Sequence, residues 1–151
     1  MSSTANAIPR LSRLTLGTVQ LGMPYGVANV TGQPDYATAR AMLEMAVENG
    51  ITCFDTASAY GDSEALLGRA LRELKALDEV TIVTKTRHLT DEEFADPAAA
   101  AKAITTSIDT SRERLGLDRL PVVLFHAERD QRYLDVLVAQ QDQGRAGHIG
   151  V

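Results

Sequence analysis

Gly50-Ile51-Thr52-Cys53-Phe54-Asp55-Thr56-Ala57-Ser58-Ala59-Tyr60-Gly61, residues 50–61, decides how this chain is read. A short apolar run stops at an acid, and a phenol follows just before a glycine. Two more runs end in the same manner. Val80-Thr81-Ile82-Val83-Thr84-Lys85 stops at an amine, and Pro121-Val122-Val123-Leu124-Phe125-His126 at an imidazole. If the runs are parallel strands of one sheet, their C-terminal ends share an edge. Asp55, Tyr60, Lys85 and His126 then meet there, which is a catalytic site in outline.

Outward from these runs, short apolar stretches alternate with helical ones. Leu14–Val19 reads as a first strand, and the turn-rich stretch Gly22–Pro34 as a loop. Ala39, Met42, Leu43, Ala46 and Val47 recur at helical spacing, and Asn49-Gly50 closes that helix with a left-handed cap. After Tyr60-Gly61, Asp62 or Ser63 is expected to cap a helix through Leu66, Leu67, Ala70 and Leu71. Asp96-Pro97 opens a third, with proline at the first helical position. It runs past Ile104, Ile108 and Leu115 to Gly116. Asp130 is expected to cap a fourth helix carrying Leu134, Leu137 and Val138, which Gly144 stops. Gly147-His148-Ile149-Gly150-Val151 opens a fifth strand.

Strict strand–helix alternation argues for an α/β parallel sheet with helices outside. An open doubly wound sheet competes with a β/α barrel. A dinucleotide-binding open sheet wants G-x-G-x-x-G at its first turn, whereas this chain has Gly17-Thr18-Val19-Gln20-Leu21-Gly22, with the wrong spacing. Polar residues at successive strand ends are what the active face of a barrel requires. The expected fold is a parallel (β/α)8 TIM barrel, N-terminal half only, with about four βα units and the start of strand five. Residues 1–151 then form one partial domain.

A chain of 151 residues, 44% of them apolar, suits a single domain. A net charge of −5 leaves no basic footprint for nucleic acid. Met1 to Ile8 lacks both a basic and a long apolar stretch, so no signal peptide is expected. No segment approaches the roughly 20 apolar residues of a membrane span. The single cysteine, Cys53, reads as a small buried hydrophobe with no disulfide partner, which fits a cytoplasmic setting. No metal site is expected.

The four polar residues suit reduction of a carbonyl. As hydride reaches carbon, negative charge grows on oxygen and a proton must arrive there. A tyrosine can deliver it, but a free phenol is a sluggish acid–base at neutral pH. An ammonium beside a phenol favours the phenolate, by on the order of 4 kcal/mol at about 4 Å and an effective dielectric of 20. In this scheme Lys85 serves Tyr60, Asp55 keeps Lys85 charged, and His126 hydrogen-bonds the substrate oxygen. Taken singly, each has a bland reading: Asp55 as a loop cap, Lys85 as a solvated strand end, His126 as a structural histidine. Tyr25 is a competing phenol. His88 reads as loop surface, His148 as structural, and Arg87 and Arg129 as solvated.

These residues resemble a known family, the aldo-keto reductases. Gly50–Gly61 followed by Ser63-Glu64 and Leu67-Gly68 resembles its signature, and Leu16-Gly17-Thr18 its first-strand motif. Arg114-Leu115-Gly116-Leu117-Asp118 leading to Leu124-Phe125-His126 resembles the approach to its histidine. Gly144–Val151 is similar to the entry into its fifth strand. The resemblance implies a barrel that uses NADPH, less often NADH, to reduce aldehydes and ketones or to run the reverse. It implies Tyr60 as general acid–base, Lys85 as its partner, Asp55 as counter-ion and His126 as the carbonyl-orienting residue. Gly17, Thr18 and Asp55 would lie near the cofactor. The loop Met23–Asn29 resembles that of bacterial members linked to surface-sugar metabolism, so a sugar derivative is one candidate for the small-molecule carbonyl partner.

Two departures stand out. Leu120-Pro121-Val122 replaces a stretch where many members carry an acid, and the chain is about half the family's barrel. Residues that stack on the nicotinamide and bind the adenosine phosphate belong to the other half. The chain is therefore expected to be a truncated piece, inactive alone, or to self-associate if the half-barrel is the true product. Two other functions are consistent with these residues: a non-catalytic half-barrel acting as a binding or regulatory subunit, and a Schiff-base aldolase using Lys85.

Overall fold

The apolar runs do pair side by side. In the computed structural model, which describes residues 11–151, they are β1 (Thr15–Gly17), β2 (Cys53–Asp55), β3 (Thr81–Lys85), β4 (Leu120–Leu124) and β5 (Ala146–Gly150). All neighbours are parallel, in the order β1-β2-β3-β4-β5. Between them lie α1 (Val19–Gly22), α2 (Tyr36–Glu48), α3 (Ser63–Glu73), α4 (Asp91–Ala95), α5 (Pro97–Leu115) and α6 (Leu134–Asp142). The expectation about a signal peptide falls on residues 1–10, outside the described residues.

Chain order equals sheet order, so every crossover advances one strand in the same direction. Right-handed crossovers then put all the helices on one face. A doubly wound sheet reverses direction midway; this one does not. The fold is the first half of a parallel (β/α)8 barrel, four βα units and the fifth strand.

The two-residue period of the strands sorts their side chains. Phe54, Ile82, Thr84 and Val123 share the helix-facing side by register and are buried. They pack with Leu43, Leu67, Leu71, Ile104, Ile108, Leu115 and Leu137, each such burial contributing roughly 1.5–3 kcal/mol. Gly17, Asp55, Val83, Lys85, Val122 and Leu124 take the opposite, inner side and are not fully buried, whereas Cys53, Thr81 and Leu120, nearer the strand starts on that side, are buried. Within the described residues β1 and β5 each pair on one side only. The helices nearest those edges show apolar side chains to solvent, Met42 and Met45 on α2 and Leu134 and Val138 on α6. No helix among the described residues is long and apolar enough to cross a membrane.

Several local expectations change. The first strand is three residues long, because Thr18 turns out of line and Val19 opens α1. Ser63 does not cap α3; Asp62 takes that position without a side-chain bond, and the Ser63 hydroxyl is used elsewhere. Asp130 does not cap α6 either. It lies in the 3-10 turn Glu128–Tyr133, fully buried, with Arg129 Nε at 3.7 Å. The expected caps at Asp96-Pro97 and Gly116 form, with the Asp96 carboxylate accepting from Ala98 N–H at 2.9 Å.

Gly68 lets α3 and α5 touch backbone to backbone: a Cβ there would stand 2.4 Å from the Leu115 carbonyl oxygen. Gly68→Ala should cost about 1–3 kcal/mol by overpacking. Gly17→Ala, where a Cβ meets nothing within 4 Å, should leave the urea midpoint nearly unchanged. Equal midpoints for the two variants would contradict the packing.

Candidate active site

Asp55 and Lys85 end adjacent strands. Asp55 stands opposite Val83, and Lys85 is one pleat further along the same inner face. The lysine therefore reaches back. Its Nζ donates to both Asp55 oxygens at 2.7 Å and to the Thr56 carbonyl at 3.0 Å. An ammonium has three N–H groups, and all three are used. The side chains are 16% and 34% exposed, so the pair is only partly screened by water.

Tyr60 arrives on the loop after β2, which is bonded from three directions. Thr56 N–H donates to Val83 O at 2.8 Å and Ser58 N–H to Lys85 O at 3.2 Å, which seats the loop on β3. The Ser63 hydroxyl lies 2.9 Å from Thr18 O, 2.8 Å from Thr18 Oγ1 and 3.1 Å from Thr56 Oγ1, tying α3 to the first βα turn. Gly22 and Gly61 then meet face to face. A Cβ on Gly22 would stand 1.9 Å from Tyr60 O, and one on Gly61, at φ +54°, 2.3 Å from Gly22 O. Only glycines permit that approach. From the helix side, fully buried Glu64 accepts from Thr84 Oγ1 at 2.6 Å. Arg114 Nη1 lies 3.5 Å from Glu64 and donates to Ser58 O at 3.2 Å. Glu64 and Arg114 were not singled out by composition or period; only the folded loop shows what they hold.

This framework sets the Tyr60 ring beside the other three groups. Lys85 Nζ is 5.4 Å from its centre, and the His126 ring meets it edge-on at 5.7 Å and 88°. His126 stands two residues past β4, half-buried, next to Phe125, whose N–H donates to Gly150 O at 2.9 Å. Its Nδ1 is buried with no hydrogen-bond partner among the described residues. Burial foremost, then positive charge on His88 and Lys85, pushes the His126 imidazole below its ordinary value, while Asp55 opposes the shift.

The four residues singled out in the sequence come together, and two bland readings give way. His88 is exposed, yet its ring lies against His126, 4.3 Å between centres at a tilt of 35°. Arg87 forms a two-pronged pair with Glu93, at 2.8 Å for one prong, and holds that carboxyl down to about 2. Tyr25 stays on the exposed 22–34 loop. Gly17 lies opposite Asp55 with open space beyond it, whereas Thr18 is buried and its hydroxyl donates to Asp55 O at 2.9 Å. A cavity of about 760 Å³ runs from Gly17 along Leu16, Val27 and Met42 and includes none of the four residues. No cluster of three or more His, Cys, Asp or Glu able to hold a metal is present among the described residues.

The family model for the aldo/keto reductase family matches residues 13–151. The chain is 28% identical to the aldo-keto reductase YhdN of Bacillus subtilis, over 99% of this chain and 46% of that protein. It is 30% identical to D-arabinose 1-dehydrogenase of Saccharomyces cerevisiae, over 93% of this chain and 41% of that one. A solved aldo-keto reductase structure from Pseudomonas aeruginosa superposes with a TM-score of 0.72 at 31% identity, covering 92% of this chain and 54% of that chain. The chain thus spans about half the length of the proteins it matches.

Because folding holds His126 against protonation, the stability it contributes is full above its unfolded value, near 6.5. That contribution is lost as pH falls through the lower folded value. Urea unfolding from pH 7.5 down to about 5 should show this acid loss in the parent and a smaller one in His126→Gln. Parallel curves would contradict the assignment.

Proposed function

Because the chain belongs to the aldo/keto reductase family, we propose that it carries the acid–base centre of a nicotinamide-dependent oxidoreductase that reduces aldehydes or ketones, or oxidises the matching alcohols with the oxidised nicotinamide as hydride acceptor. One observation carries the reading: an ammonium fully engaged by Asp55 and Thr56, with the Tyr60 and His126 rings beside it. Tyr60 is the proton donor to the carbonyl oxygen. Lys85, held charged by Asp55, favours negative charge on the phenol oxygen as the proton leaves. His126 binds the same carbonyl oxygen. With Nδ1 buried and unpaired, the neutral tautomer with its proton on Nε2 avoids a stranded N–H. That proton fixes where the substrate oxygen sits.

NADPH, less often NADH, is the expected cofactor, and when bound it supplies the hydride. The residues present fit one edge of such a group. Gly17 leaves open space beside Asp55 on the inner face, and the Asp55 carboxylate is one-third exposed beside it. Thr18 contributes through its backbone and its support of Asp55, since its hydroxyl is already engaged. The name of one relative, D-arabinose 1-dehydrogenase, and the character of the 23–29 loop support a sugar-derived carbonyl as substrate.

This reading takes residues 1–151 as the first half of one barrel domain, with most of the cofactor contacts supplied by the second half. A Schiff-base aldolase at Lys85 is disfavoured, because an amine whose three N–H groups are all engaged by oxygen offers no lone pair for attack. The half-buried inner face favours one second reading, a non-catalytic binding subunit, which predicts a stable partner complex without turnover.

Two measurements decide. The intact mass of the native gene product should be about twice the 16.3 kDa of this chain; a mass equal to it would favour the binding-subunit reading. In the active protein, Tyr60→Phe should lower kcat by about 10²–10⁴ while NADPH binding persists. Turnover unchanged by that substitution would sink the mechanism.

A further inference from the structure

We propose that His88 is a positioning residue of this site, one that covers the His126 ring from the β3–α4 loop and opposes a positive charge on it. The inference rests on the reading of His126 as the carbonyl-orienting group. Four observations carry it. The rings lie 4.3 Å apart at a tilt of 35°, close to face-on rather than edge-on. His126 Nδ1 is buried with no partner, so no hydrogen bond to that atom orients the ring, and packing must do so. The Tyr60 ring also meets His126, edge-on at 5.7 Å, so two rings pack against the imidazole.

The fourth observation is that His88 is itself anchored despite its exposure. Its carbonyl accepts from Arg87 Nη1 at 2.8 Å, and Arg87 is gripped by Glu93. Arg87 N–H donates to Ser107 Oγ on α5 at 3.0 Å. The next residue, Leu89, is buried, and its carbonyl accepts from Arg129 Nη2 at 2.7 Å, while Arg129 Nη1 also holds Asp91 at 2.8 Å. Glu93 and Thr90 complete a capping box that fixes the start of α4. A loop pinned from α5, α4 and the turn after β4 presents its one imidazole to His126.

The charges around the pair are few and of mixed sign. Lys85 on β3 and His88 on the loop are the cationic neighbours of His126, and Asp55 on β2 is the anionic one. Tyr60, on the loop after β2, presents a neutral ring. Lys85 is neutralised by Asp55 at 2.7 Å. At 4.3 Å between the rings, a proton on either imidazole disfavours a proton on the other. At neutral pH the arrangement keeps His126 neutral and correctly turned. On acidification it makes oriented carbonyl binding depend on His88 as well as on His126.

This chain holds three histidines, and their imidazole signals, assigned by substitution, can be followed by NMR in the intact native gene product with no turnover required. His88→Phe keeps a ring over His126 and removes the charge. There the His126 midpoint should rise toward the ordinary imidazole value while its ring-current-shifted signals persist. His88→Ala removes both, so the midpoint should rise further and the shifted signals should collapse. His148 signals report whether each variant is folded, and His88→Phe decides alone if the alanine variant is not. A His126 midpoint unmoved in a folded His88→Phe protein overturns the proposal. Because this readout needs no activity, it separates the inference from the reductase reading. If turnover is measured as well, His88→Phe should shift the acid limb of kcat/KM and leave the alkaline limb in place, a change that a purely structural role would not produce.

Discussion

The Lys85–Asp55 pair is the interaction on which the rest depends. It closes the C-terminal ends of β2 and β3 against each other and uses every donor of the ammonium, two on carboxylate oxygens and one on the Thr56 carbonyl. Two charges this little exposed carry a desolvation cost that Coulomb attraction only partly offsets, so such a pair is a poor choice for stability alone. Its consequence is chemical. The Lys85 nitrogen stands 5.4 Å from the centre of the Tyr60 ring, at the edge where the proposed reaction would place a carbonyl oxygen.

Holding the phenol there takes more structure than holding the lysine. Lys85 belongs to a strand, and the sheet register alone places it. Tyr60 belongs to a loop, and loops need separate anchors. The anchors all come from the helix side of the sheet: the hydroxyls of Thr18, Thr56 and Ser63 form one cluster, and Glu64 and Arg114 form a second. The Gly22–Gly61 contact removes the last freedom by bringing two backbones closer than side chains allow. Burying Glu64 with one hydrogen bond and one ion contact at 3.5 Å is expensive, and it is spent where the loop carries the proposed acid.

The winding of the sheet explains the asymmetry of burial. Helices cover one face completely, so Phe54, Ile82 and Val123 are fully enclosed. The inner face is where a barrel packs strand against strand across its axis. With five strands present, Val83, Val122 and Leu124 are only half-buried there. The polar residues at the strand ends are held without that packing: Lys85 by Asp55 and Thr56, Tyr60 by its anchored loop, and His126 by the Tyr60 and His88 rings. The proposed acid–base centre is therefore assembled within this half.

Much of this was legible in the chain itself. Apolar runs of strand length, each ending in a polar residue, gave the strands, their order and the shared edge. The Gly17–Gly22 spacing argued against the open nucleotide-binding sheet. These features are local: a period of two, a cap, a glycine stop. The sequence could thus determine that Asp55, Lys85 and His126 project from neighbouring strand ends, with Tyr60 close by. What only the tertiary structure decided depends on residues far apart in the chain. The Ser63 hydroxyl bonds Thr18, 45 positions away, instead of capping α3, and Arg114 reaches Ser58 across 56. His88 looked like loop surface because a residue three past a strand end carries no periodic signal. It rests on His126 because Arg87, Glu93 and Arg129 pin its loop there. Backbone pattern sets where strand ends lie, but the ring that covers another ring is chosen by loop anchors that exist only after the sheet has formed.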